Sequence, residues 1–303
     1  MKLLFTMFVG MFLLGNTYAN DKKCVECHRV EQTSHEKLLH GKAFKQKDGS
    51  LSCASCHGDG TLHVAQKDPT SDTIIAFSKK SKNTFEEQNN QCLTCHKTNS
   101  EVAAWKMGKH SSNNVRCVDC HANHTTSKIV DGKVLENKTQ TCFQCHKEQQ
   151  LQAKAYSHHP LIEGKVSCND CHNPHGTLND HNLRAETVNA LCYKCHTDKR
   201  GPFLWEHPPV EENCLNCHNS HGSNHMRLLK KSAPNVCQEC HNWSNHPSAP
   251  RSSAQGYGAS GTANFSSQFV GRACLNCHTK VHGSHGNQDT GSSAKVSGKR
   301  FTR

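Results

Sequence analysis

All twenty cysteines of this 303-residue chain fall in ten Cys-x-x-Cys-His units, with none left over. The thiols and the histidine that follows them are Cys24, Cys27, His28; Cys53, Cys56, His57; Cys92, Cys95, His96; Cys117, Cys120, His121; and Cys142, Cys145, His146. The second five are Cys168, Cys171, His172; Cys192, Cys195, His196; Cys214, Cys217, His218; Cys237, Cys240, His241; and Cys274, Cys277, His278. This spacing is that of covalent haem c attachment. Two thiols three positions apart on one helical turn reach the two vinyl groups of a porphyrin edge, and the adjacent histidine then projects under the iron. Zinc ribbons and thiol redox centres also use Cys-x-x-Cys, but neither requires histidine directly after the second thiol. A disulfide scaffold leaves those histidines equally unexplained. The expectation is ten covalently bound haem c groups, each with its iron on the motif's histidine.

The units repeat in pairs. In the middle of the chain they step by 22 to 26 residues, and the even ones are trailed by another histidine: His124 after the fourth, His175 after the sixth and His221 after the eighth. His63 and His282 are looser versions after the second and tenth. A further histidine lies between the odd and even unit of each pair: His40, His110, His158, His207 and His246. The chain therefore reads as five two-haem repeats over 20–282, bounded at about 20–66, 67–130, 131–185, 186–230 and 231–282.

Fifteen histidines stand outside the attachment units, and these ten recur in register, one distal ligand for each iron. The register His-x-Pro-apolar favours His158 over His159. His35, His181, His225 and His285 remain over. Methionine is the alternative sixth ligand, but only Met107 and Met226 lie beyond the first twenty residues. Histidine on both faces fills both axial positions, keeps reorganisation on electron gain small and holds potentials low. Within each repeat the trailing histidine is expected on the odd haem and the middle one on the even haem.

Lys2, the apolar run from Leu3 to Leu14 and the small-residue ending at Ala19 have the form of a secretory signal, 1–19. Twelve apolar residues are too few to cross a bilayer. Export to the periplasm, with outer-membrane association, is the expected location. The formal charge of +11 would fit nucleic acid, but two propionates on every haem erase that balance, so no nucleic-acid partner is expected.

Only 34% of the chain is hydrophobic and 6% aromatic, too little for an ordinary side-chain core. With about 28 residues for each haem there is room for one short helix and a loop. The expected fold is a multihaem cytochrome c: an elongated haem chain in mostly irregular polypeptide with short α-helices and little or no β structure. Residues 59–91 and 244–273 read as inserts, and 283–303 as a flexible tail.

The run from Cys192 to His196, then His207-Pro-Pro-Val210, then Cys214 to Gly222, resembles the doubled c-haem motif. Five such copies after a signal, with Trp105 five residues before His110, resemble the MtrA/DmsE type of periplasmic decahaem cytochrome along essentially the whole mature chain. That resemblance implies a haem wire taking electrons from a periplasmic or inner-membrane quinol-linked cytochrome. It further implies insertion into an outer-membrane β-barrel protein and delivery to an extracellular multihaem cytochrome or terminal reductase. A soluble periplasmic shuttle is the alternative. A multihaem reductase needs a vacant iron, often marked by a motif lacking the final histidine, and all ten motifs here end in histidine, so an electron carrier and not an enzyme is expected.

Overall fold

Among the described residues the longest helix, Phe85–His96, shows how an odd-numbered motif is built. Thr84 opens it with a reciprocal cap: its backbone N–H donates to Glu87 Oε2 at 2.7 Å, and its hydroxyl accepts from Glu87 N–H at 3.2 Å. The helix then runs into Cys92, Cys95 and His96, so this motif occupies a helical C-terminus. Asp21–Cys27, Thr139–Phe143, Val188–Cys192 and Asn235–Gln238 likewise lead into or through odd motifs.

Even motifs are built the other way. The residue before the first cysteine is extended at Ser52, Arg116, Ser167 and Asn213, and the motif itself begins a short turn. The third residue of the motif returns to close the turn: Ser52 N–H donates to Ser55 Oγ, Arg116 N–H to Asp119 Oδ2 and Ser167 N–H to Asp170 Oδ2, at 2.7 to 2.9 Å. At both kinds of motif the histidine N–H donates back to the carbonyl of the first cysteine, for example at 2.8 Å for His121 and 2.9 Å for His196. That α-type bond puts both thiols on one side of a turn and the imidazole after them.

The computed structural model describes residues 21–36, 38–46, 52–66, 71–121, 123–124, 139–242, 274–276 and 278–285. They form two compact units, one from residues up to 106 with 110–136, the other from 107–109 with the residues after 136. No described segment pairs as more than an isolated β-bridge, and all four bridges lie in the second unit: Ser157 with Ser223, His172 with Leu183, Trp205 with Ser284 and His218 with Leu229. The described chain is short helices joined by irregular segments. The expected signal at 1–19, His246, Cys277, the expected 244–273 insert and residues 286–303 lie outside the described residues.

Among the described residues the buried apolar side chains are Leu38, Ala54, Trp105, Phe143 and Ala153. Five such residues do not make a core by themselves. Backbone crossings are correspondingly close. A Cβ on Gly222 would come 1.8 Å from the Gln152 carbonyl oxygen, and one on Gly283, at φ +133, would come 2.3 Å from the Phe203 ring. These glycines directly follow His221 and His282, and only the missing side chain lets those histidines be carried past the neighbouring segment.

Candidate haem-binding site

Among the described residues, each of seven attachment histidines faces a second imidazole. Ring centroids are 6.3 Å apart for His28 and His63, 6.0 Å for His57 and His124, and 5.9 Å for His96 and His40. In the second unit they are 6.1 Å apart for His172 and His221, 6.3 Å for His196 and His159, 6.1 Å for His218 and His282, and 6.0 Å for His241 and His207. Two metal–nitrogen bonds of about 2 Å, plus about 1 Å from each nitrogen to its ring centre, span about 6 Å. A six-coordinate iron fits between each pair.

The pairing differs from the expected one. Only His28 and His63 belong to one repeat. His124 faces the even motif of the repeat before its own, as do His221 and His282, while His40, His159 and His207 face the odd motif of the repeat after their own. The physical reason lies in the thiols. The first cysteines of the two motifs of each repeat are in contact: Cys24 with Cys53, Cys92 with Cys117, Cys142 with Cys168, Cys192 with Cys214 and Cys237 with Cys274. With the two attachment turns of a repeat held back to back, their imidazoles are reached by histidines of the adjoining repeat. His110 lies on the Lys109–Ser112 helix.

The second cysteines continue the row across repeats, Cys56 lying near Cys92 and Cys95, Cys171 near Cys195, and Cys217 near Cys240. The back-to-back turns are clamped by the residue three before the odd motif. Cys53 N–H donates to Asp21 Oδ1 at 3.1 Å, Cys117 N–H to Asn89 Oδ1 at 2.8 Å and Cys214 N–H to Asn189 Oδ1 at 2.7 Å. Asp21, Cys24 and Cys53 bring three potential ligand atoms within 4.8 Å of one another. Both thiols there belong to attachment motifs, so the cluster is part of this site.

Hydrogen bonds at Nδ1 aim the imidazoles. His57 donates to Ile75 O at 2.8 Å, His172 to His181 O at 2.7 Å and His218 to Arg227 O at 2.8 Å. The last two carbonyls are turned inward by left-handed pairs, His181-Asn182 and Arg227-Leu228, with φ between 53 and 58. Opposite the odd motifs, His159 donates to Ser220 O at 2.7 Å, His207 to Val281 O at 3.0 Å and His40 to Asn123 Oδ1 at 3.0 Å. Each acceptor belongs to the residue just before a trailing histidine. A proton fixed on Nδ1 leaves Nε2 as the free lone pair, the state a metal ligand needs. Burial also pushes His57, His207, His218, His221 and His282 below their ordinary pKa, toward the neutral form.

The same bonds distinguish His158 from His159, and it is His159, not the expected His158, that lies opposite His196. His158 places Nδ1 2.6 Å from Ala155 O and Nε2 3.1 Å from Glu163 Oε1, so both its nitrogens are engaged. His159 keeps Nε2 free and faces His196. The register His-x-Pro-apolar does not mark this difference, because neighbouring histidines on extended chain point to opposite sides, and the bridge of Ser157 with Ser223 lies just before them.

The doubled CXXCH motif family matches residues 17–61, 158–201 and 207–246, and the Cytochrome c-type protein NrfB-like family matches 53–136. Cytochrome c-type protein NrfB of Haemophilus influenzae is 23% identical over 45% of this chain and 69% of its own length. Cytochrome c-552 of Aliarcobacter butzleri is 29% identical over 44% of this chain and 34% of its own. Multiheme cytochrome MtrA of Shewanella baltica is 38% identical over 86% of this chain and 78% of its own length. The chain belongs to the MtrA family of multihaem cytochromes.

As an MtrA-family cytochrome the chain binds haem c through its CXXCH motifs, and the facing imidazoles are the donor set that fits it. What the sequence did not reveal is the layer behind those imidazoles. The acceptors at Ile75, His181, Ser220, Arg227 and Val281 are backbone carbonyls, which any residue type supplies. Asp21, Asn89 and Asn189 did carry a signal, a short amide or carboxylate three positions before an odd motif, and so did Asn123, adjacent to a trailing histidine.

Proposed function

We propose that the chain is an exported ten-haem wire. It would carry electrons from periplasmic or inner-membrane donors across the outer membrane, inside a β-barrel partner, to an extracellular cytochrome or reductase. The observation that carries this reading is the alternation of thiol contacts, first cysteine to first cysteine within a repeat and second to second between repeats. That alternation sets successive attachment sites side by side in chain order within each unit. Bound haem c supplies a one-electron iron couple at each site.

The polypeptide's part is to hold neutral imidazoles on both sides of each metal and keep them there. His28, His57, His96, His121, His146, His172, His196, His218, His241 and His278 are the ligands on the attachment motifs. His40, His63, His124, His159, His207, His221 and His282 are the second ligands at seven of them. His110, His175 and His246 complete the set of repeated histidines. A ligand already fixed by a carbonyl does not reorient when charge arrives, which keeps the barrier to electron gain low.

Intact-mass measurement should show ten added haems on a chain beginning near Asn20. Extraction of outer membranes should recover the chain bound to a barrel protein. Recovery only as a free soluble monomer would overturn the conduit and leave a periplasmic shuttle.

A further inference from the structure

We infer that His221 and His282 are exchangeable ligands, and that a small neutral haem ligand such as carbon monoxide or nitric oxide enters this protein at the sixth and eighth motifs by displacing them. The inference rests on the haem-carrier reading above and adds a binding site to it.

At these motifs the ring fixed through Nδ1 is the one already tethered. His172 donates to His181 O and His218 to Arg227 O, and each also follows directly on a cysteine of its motif. The opposite rings, His221 and His282, are half-buried and hydrogen-bond to no described residue through either nitrogen. At odd motifs the arrangement is reversed. His40, His159 and His207, which have no covalent tether to the cofactor, are the rings fixed by an acceptor at 2.7 to 3.0 Å. The second motif is intermediate, with His124 Nδ1 3.3 Å from Glu31 O.

An acceptor at Nδ1 raises the basicity of the coordinating nitrogen and holds the ring plane, and losing it typically costs about 10–100-fold in metal affinity. Among the described pairs the weakest metal–imidazole bonds therefore fall on His221 and His282. Exchange there is redox-neutral: the iron–nitrogen bond breaks with its electron pair staying on the imidazole, and the entering carbon or nitrogen atom donates a pair to the same position.

Carbon monoxide titration of the dithionite-reduced holoprotein, normalised to covalently bound haem, tests this. The irons at the sixth and eighth motifs should bind at roughly 10–100-fold lower carbon monoxide than those at the third, seventh and ninth. His282→Ala should leave the number of tightly binding irons unchanged while speeding binding at one of them, whereas His159→Ala should raise it by one. Asn123→Ala, which removes the acceptor fixing His40, should also add one, and Asn123→Asp, which keeps an acceptor, should not. No binding by the unaltered protein, or an equal rise for His282→Ala and His159→Ala, overturns the inference. The carrier reading fails separately, if the haems of the same preparation do not each take up one electron from the reductant.

Discussion

The Nδ1 atom of His207 lies 3.0 Å from the carbonyl oxygen of Val281, the residue next to His282. His207 faces the ninth motif and His282 the eighth, so one short backbone segment serves both. The antiparallel bridge between Trp205 and Ser284 holds that segment in place. Truncation before Val281 should therefore disturb two irons and not one. Electron paramagnetic resonance of the ferric holoprotein should show loss of two low-spin signals, and loss of a single signal would show that the two sites are independent.

The neighbouring pair His158 and His159 makes a sharper contrast. His159→Ala should convert one iron to high spin, while His158→Ala should leave every iron low-spin, because its ring nitrogens are occupied by Ala155 O and Glu163. The opposite result would restore the sequence-based preference for His158.

Asn189 is buried, and besides accepting from Cys214 N–H it donates to the carbonyls of Val210 and Glu211 at 2.8 and 2.9 Å. Asn189→Ala strands these groups away from water and should destabilise the holoprotein by about 2 kcal/mol. Denaturant unfolding monitored by the haem absorption measures it.

Arg116 is 6% exposed, and its Nε and Nη2 both reach the Asp119 carboxylate. Burial raises the Asp119 pKa, but the hydrogen bonds from Arg116 and its charge outweigh that, and the net shift is downward. A carboxyl lowered in the folded state stabilises it above the ordinary carboxylate pKa and ceases to do so as pH falls through the folded value. Asp119→Asn should cost roughly 3 kcal/mol at neutral pH, since it leaves a buried guanidinium uncompensated. That difference from the unaltered protein should narrow on acidification below about pH 4. A difference independent of pH would assign the loss to packing.

Gly222→Ala should cost about 3 kcal/mol or prevent assembly, because its methyl group would enter the Gln152 carbonyl. Haem content and thermal unfolding report the outcome, and an unperturbed variant would mean that the crossing of Gly222 and Gln152 is looser than described.

The cysteine and histidine spacing by itself determined the chemistry of attachment, haem c bound through CXXCH motifs, and a fold of short helices in irregular chain. These follow from local chain geometry, because two thiols and an imidazole on one turn need nothing distant to define them. Which histidine meets which motif was decided only by the tertiary structure. Of the seven described pairs, all but His28 with His63 join adjoining repeats, and repeat spacing is equally compatible with pairing inside a repeat. Contact between Cys192 and Cys214, the clamp at Asn189 and the bridges at Ser157 and Trp205 remove that ambiguity, since together they fix which face of each turn stays open to a neighbour.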